Sequence, residues 1–174
     1  ISSVAYSDAW YGTSAKAEGG WSLEQISPYK PCEGMSNWRA SAALWGGTPG
    51  KRNSVFQNTA DVNPPGVDRV VVLSNDTIRV FFNESLLATS LTQVSDFSIS
   101  DGIGTPVYLE NYPPGYGSVK LALATPLQAG NIYTITMTGN LRDCSGNEFD
   151  INSTGRFALP ELALPGDLVI NEVL

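Results

Sequence analysis

The residues in this chain that could do chemistry are few, and one type is missing. Among 174 residues there is no histidine. That removes the usual general acid and base, the imidazole that activates a nucleophile, and the commonest zinc ligand. Carboxylates, Lys, Tyr and metals held by oxygen remain. Asp143, Asn147 and Asp150 stand together in RDCSGNEFD, and clustered oxygens in a turn can hold Ca2+. Their spacing is not that of an EF-hand, and the same residue types build Asx turns without metal. Tyr108, Tyr112 and Tyr116 lie in YLENYPPGYG. Aromatics on a Pro-rich loop can offer a platform to sugar rings or peptide, and they can equally cover the edge of a core. Glu84, Glu110 and Glu172 show no sign of the facing pair that glycoside hydrolysis needs. GGTPGK departs from the Walker spacing of a phosphate loop. No catalytic residue set and no cofactor are expected within this chain.

Cys32 and Cys144 leave two readings open. They are free thiols, one per module, or they form one disulfide that joins two modules. A bond would require an oxidising compartment. Trp10, Trp21, Trp38 and Trp45 crowd the first third of the chain. They could form a ligand surface; the plainer expectation is that they pack a small module lacking a large core. Asn75, Asn83 and Asn152 each begin an N-glycosylation sequon, a signal that in a bacterial source arises mostly by chance. Asp76-Thr77-Ile78 resembles a short O-glycosylation motif.

Charge narrows the partners. The net charge is −7, so a phosphate backbone would be repelled, and no nucleic-acid partner is expected. Anionic lipid gains nothing from such a surface, and no apolar run approaches the ~20 residues of a membrane-spanning helix. Charged residues make up only 16% and hydrophobic ones 42%, enough apolar material for a core. Both chain ends read as cuts within a longer protein.

The elements that must carry these residues are strands. Residues 1–56 are Trp- and Gly-rich and turn-dominated, with ISSVAYSDAW and WSLEQI expected as strands. Residues 57–66, stiffened by Pro64-Pro65, read as a short semi-rigid linker. Residues 67–160 hold seven short β-rich runs: 68–73, 77–82, 96–100, 105–110, 118–124, 132–139 and 155–159. Turn signals separate them, the pattern of an antiparallel Greek-key sandwich. Val119, Leu121 and Leu123 share one face; Tyr133, Ile135 and Met137 are expected to face the core. Residues 85–97 have room for one helical turn. Residues 161–174 are a Pro-bounded linker and one strand, LVINEVL.

Two resemblances emerge at these residues. TIRVFFNESL, LQAGNIYTITMTG and LRDCSGNEF, in that order, resemble the bacterial Ig-like domain of the S-layer type. VAYSDAWYG, GGWSLEQISPYKPC, NWRAS and GGTPGKRNSV resemble the second half of a lamin-tail domain as found in surface and secreted Bacteroidetes proteins. Residues 167–174 resemble the opening strand of another. The resemblance implies an all-β fold, with an Ig-like antiparallel Greek-key sandwich plus a partial second β-sandwich module. It implies an extracytoplasmic structural or adhesion module of a modular protein, with other domains of the same chain and glycan or protein ligands as partners. The alternative is the accessory region of a secreted hydrolase, such as a nuclease or phosphoesterase. A lamin-tail domain lacking its first strands would leave sheet edges open, which residues 167–174 could fill by strand addition, in cis or in trans.

Overall fold

The structure, a computed structural model, describes residues 6–113, 115–137 and 140–161. Residues 167–174, expected to add a strand to the first module, lie outside the described residues. The alternating apolar runs of the second part become seven strands. These are β3 (Val67–Ser74), β4 (Thr77–Phe82), β5 (Phe97–Ile99), β6 (Tyr108–Asn111), β7 (Ser118–Ala122), β8 (Ile132–Met137) and β9 (Gly155–Ala158). They follow the short β1 (Leu23–Gln25) and β2 (Trp38–Ala40) of the first part. The helical turn between sheets shrinks to a 3-10 turn at Val94–Asp96.

Two antiparallel sheets result, one in the order β3-β4-β7-β6, the other β5-β8-β9. Numbering these seven strands A to G gives ABED on one sheet and CFG on the other, the arrangement of an immunoglobulin constant-type sandwich. Alternation decides which side chains go inside. Ile78 and Val80 on β4, Val119 and Leu121 on β7, and Phe97, Tyr133 and Ile135 on the other sheet are all at most 1% exposed. Burying one such side chain fully is worth about 1.5–3 kcal/mol. Leu86, Leu91, Leu141 and Phe149, from the connections, complete the same cluster. The one buried hydroxyl among the large core rings is accommodated: Tyr133 Oη accepts the Gln128 N–H at 2.8 Å while its ring stacks on Phe157.

The sheets approach closely at Gly155, opposite Ile135. A Cβ there would fall 2.5 Å from Val70 Cγ2 and 3.0 Å from Val67 Cγ1, both on β3. Gly155→Ala therefore overfills the contact between β3 and β9. It is expected to cost about 1–3 kcal/mol, read as a lower urea midpoint with an unchanged slope.

The first part is built differently. Asp8–Tyr11 is a 3-10 turn and not the continuation of a strand as the sequence suggested. The chain turns at Asp8–Tyr11 and leaves that turn through Gly12 at φ +73. The expectation that the tryptophans form a core is also corrected. Trp10, Trp21 and Trp38 are half-buried, and Trp45 is 90% exposed. Among the described residues before 57, the buried apolar side chains are Cys32 and Ala40 alone, whereas Glu24, Ser27, Asn37 and Ser41 are all buried.

Polar networks take the place of a core. Asn37 Oδ1 accepts the Ser27 N–H at 2.8 Å, and its amide donates to the carbonyls of Ser27 and Lys30. Glu24 accepts from Thr48 Oγ1 at 2.6 Å, Ser54 N at 2.6 Å and Ser54 Oγ at 2.7 Å. Burial pushes the Glu24 carboxyl up; the hydrogen bonds from Thr48, Ser54 and Ser41 outweigh it and hold the group down at about 2. Gly46, at φ +80, packs so closely on the Gly20 carbonyl that a Cβ would sit 1.8 Å from its oxygen. Only glycine fits there.

Candidate functional site

The chemistry-bearing residues gather where the two parts meet. The linker is laced to both sides. Gln57 N donates to the Ile26 carbonyl and Ser27 Oγ to that of Thr59, each at 2.7 Å. On the sandwich side, Ser145 Oγ reaches Asp61 Oδ2 at 3.2 Å, Gly66 N reaches Asn83 Oδ1 at 2.8 Å, and Asp150 N reaches the Pro65 carbonyl at 3.0 Å. Beside this lacing, Cys32 of the first part and Cys144 of the sandwich are joined, with Cα atoms 5.8 Å apart, inside the range a disulfide needs.

Asp143, just before Cys144, is completely buried. Its Oδ1 accepts the N–H groups of Ser145 and Asn147, both at 2.8 Å, and its Oδ2 accepts the Asn147 side-chain amide at 2.8 Å. This is an Asx turn closed on itself. Asn147 thus turns its N–H end to Asp143, and Asp150 Oδ1 accepts from Asn152 instead. Of the three residues singled out from RDCSGNEFD, two are brought together and the third is engaged elsewhere.

The carboxylates that do converge come from three places. A bridge between Leu86 and Asp143 draws the segment after β4 alongside the turn. Glu84 then faces Asp143, and Asp61 arrives from the linker; one carboxylate oxygen from each lies within 4.8 Å of the other two. Asp61 is 7% exposed. Glu84 Oε2 is sealed from solvent and receives no hydrogen bond. Burial, then the negative charges of Asp61, Asp143 and Glu33, push the Glu84 carboxyl up to about 7, with Lys30 opposing them. Lys30 itself is paired with Glu33 at 2.5 Å. Nothing local in the sequence announces this cluster, because its members are distant along the chain and only the fold assembles them.

The three tyrosines separate. Tyr108 is 55% exposed on the outer face of the four-stranded sheet. Tyr112 lies on the same side and is covered by the Arg79 guanidinium at 4.0 Å. Arg79 also lies over Phe81 at 5.0 Å, and Arg69 lies over the same ring at 4.0 Å. The result is a ladder of Arg and aromatic side chains from β3 to the residue after β6, each cation held over a π face. Tyr116, at φ +45, points instead into a cleft beside Pro31, Cys32 and Cys144. Glu110 pairs with Lys120, and Glu172 lies outside the described residues. In the first part a cavity of about 290 Å3 is lined by Tyr6, Trp10, Tyr11, Leu23 and Trp38.

Strand order, inner-face alternation and the position of the junction together define an immunoglobulin-like sandwich with a stapled flanking segment. Residues 59–158 match the bacterial Ig-like domain, and the chain belongs to that family. Among solved structures, one S-layer protein, rSbsC, is similar at 25% identity and a TM-score of 0.50, over 58% of this chain and 14% of that one. The N-terminal part of the bacterial S-layer protein SbsC is similar at 26% identity and a TM-score of 0.48, over 55% of this chain and 23% of that one. The chain therefore spans well under a quarter of the larger S-layer structure. No curated protein matches it.

Proposed function

We propose that this chain is a non-catalytic structural module of a cell-surface or secreted protein, serving to space and orient its neighbours. The observation that carries the reading is a complete Ig-like sandwich of a bacterial family, joined to the preceding segment by a disulfide and a hydrogen-bonded linker. The S-layer context of the similar structures supports a surface location, and a disulfide suits an oxidising compartment. The adhesive part of the reading rests on the outer sheet face, where Tyr108 is open to solvent beside the Arg79–Tyr112 pair.

For residues 1–56 we retain descent from a lamin-tail module as a proposal, together with strand addition by residues 167–174. The short antiparallel pair β1–β2, with Leu23 opposite Ala40, offers edges for such a strand. Antibodies raised against the folded chain are expected to label intact cells of the source organism or its spent medium. Confinement of the protein to the cytosol overturns the reading. In a glycan and matrix-protein binding screen, any ligand found is expected to be lost with Tyr108→Ala and Tyr112→Ala; retention by both variants removes the outer face from consideration.

A further inference from the structure

We propose that Asp61, Glu84 and Asp143 form a calcium site that ties the linker to the sandwich at the module junction. The argument starts from the donors. All three are carboxylates, the chain holds no imidazole, and the neighbouring Cys32 and Cys144 sulfurs are bound to each other, so the site is hard and suits an alkaline-earth cation better than zinc or copper. Calcium binds oxygen at about 2.3–2.6 Å, so ligands on opposite sides of one ion stand about 5 Å apart. The 4.8 Å envelope of these oxygens fits around a single ion.

A cluster of acids alone proves little. Here two of the acids have been taken out of water, Asp143 at 0% and Asp61 at 7% exposed, and Glu84 is half-buried. Glu84, the third member, has its Oε2 hidden from solvent with no donor to satisfy it. An unpaired buried carboxylate oxygen is costly, and a cation among these three groups removes that cost at once. Lys30, the cation that acts on Glu84, is already committed to Glu33.

The remaining hydrogen bonds hold the ligands in place without using up their lone pairs. Asp61 Oδ1 accepts the Asn63 N–H at 3.1 Å and Oδ2 accepts Ser145 Oγ. Asp143 Oδ2 accepts one N–H from Asn147, and Glu84 Oε2 accepts none. A carboxylate offers about four acceptor sites, so each group retains a free direction toward a common ion. Such outer contacts orient metal ligands. Magnesium, which dehydrates reluctantly and keeps most of its waters, is a poorer fit to a site with three protein carboxylates.

The test is calorimetric unfolding of the oxidised 174-residue chain in 10 mM CaCl2, in 10 mM MgCl2 and in EDTA. Extracellular modules bind calcium with Kd of about 0.1–1 mM. Tenfold to hundredfold excess then raises Tm by about 3–10 °C. Glu84→Gln removes the orphaned charge and is expected to fold normally, with the calcium shift reduced to under about 1 °C. An unchanged Tm of the parent chain in calcium overturns the proposal. So does a full calcium shift in Glu84→Gln. An equal shift in magnesium overturns the assignment to calcium. Should Glu84→Gln not fold by circular dichroism, Asp61→Asn is read by the same criteria.

Discussion

Replacing Cys32 with Ser is expected to release residues 6–56 from their fold while the sandwich stays intact. The Cys32–Cys144 link spans 112 positions. Closing so long a loop lowers the entropy of the unfolded chain by an amount worth about 5 kcal/mol at 25 °C. The two sides of the link do not depend on it equally. The sandwich keeps a continuous core from Ile78 to Phe157 without it. The first part, with Cys32 and Ala40 as its buried apolar side chains among the described residues, has little to resist separation. Small modules without a core rely on such staples. Amide hydrogen exchange on Cys32→Ser, or on the reduced chain, should show protection lost in β1 and β2 and kept in β4, β7 and β8. Equal loss across both parts would mean that the segment stabilises the sandwich as well.

The second large effect concerns Glu24. Its carboxylate is buried and organises the loop from Thr48 to Ser54 through three hydrogen bonds. Hydrogen bonds to a charged group are worth about 1.5–3 kcal/mol each. Glu24→Ala leaves the buried partners unsatisfied, and in a segment without an apolar core that is expected to unfold the loop. The pH dependence has a definite sign. A carboxyl held at about 2 in the fold and near its ordinary 4.5 when unfolded contributes stability that is fully present above pH 4.5. That contribution is lost as pH falls toward 2. Acid titration followed by tryptophan fluorescence for the first part, which holds all four tryptophans, and by far-UV circular dichroism for the sandwich should therefore show the first part melting first, and Glu24→Gln should flatten that early transition. Coincident transitions in the parent chain would contradict this.

The two parts differ in how far the sequence announced them, for one physical reason. In β4, β7 and β8 the period-two alternation is strong because one face of each strand packs on a real core. Val119 and Leu121 could be assigned to one face, and Tyr133 and Ile135 to the core, from spacing alone; Ile78 and Val80 follow the same alternation. In residues 6–56 there is no such core to impose a period. The fold there follows from polar side chains, Glu24 and Asn37 above all, whose partners cannot be read from a pattern. Trp45 shows the hazard: its size suggested packing, yet it stands in solvent. The carboxylate cluster escaped for a related reason. Glu84 was visible as an unpaired acid, but Asp61 and Asp143 reach it only through the linker lacing and the Leu86–Asp143 bridge.

The sulfur link between positions 32 and 144 also alters how the protein would carry mechanical load. Tension applied at the two chain ends passes from residue 32 directly through the link to residue 144. Strands β3 to β8 lie within the bypassed loop, and β9 alone of the sandwich stands outside it. At about 3.4 Å per residue, roughly 380 Å of contour length is withheld from extension. Under reducing conditions that length becomes available. An assembly exposed to shear would therefore hold a stiff tether whose compliance is set by the redox state of one bond.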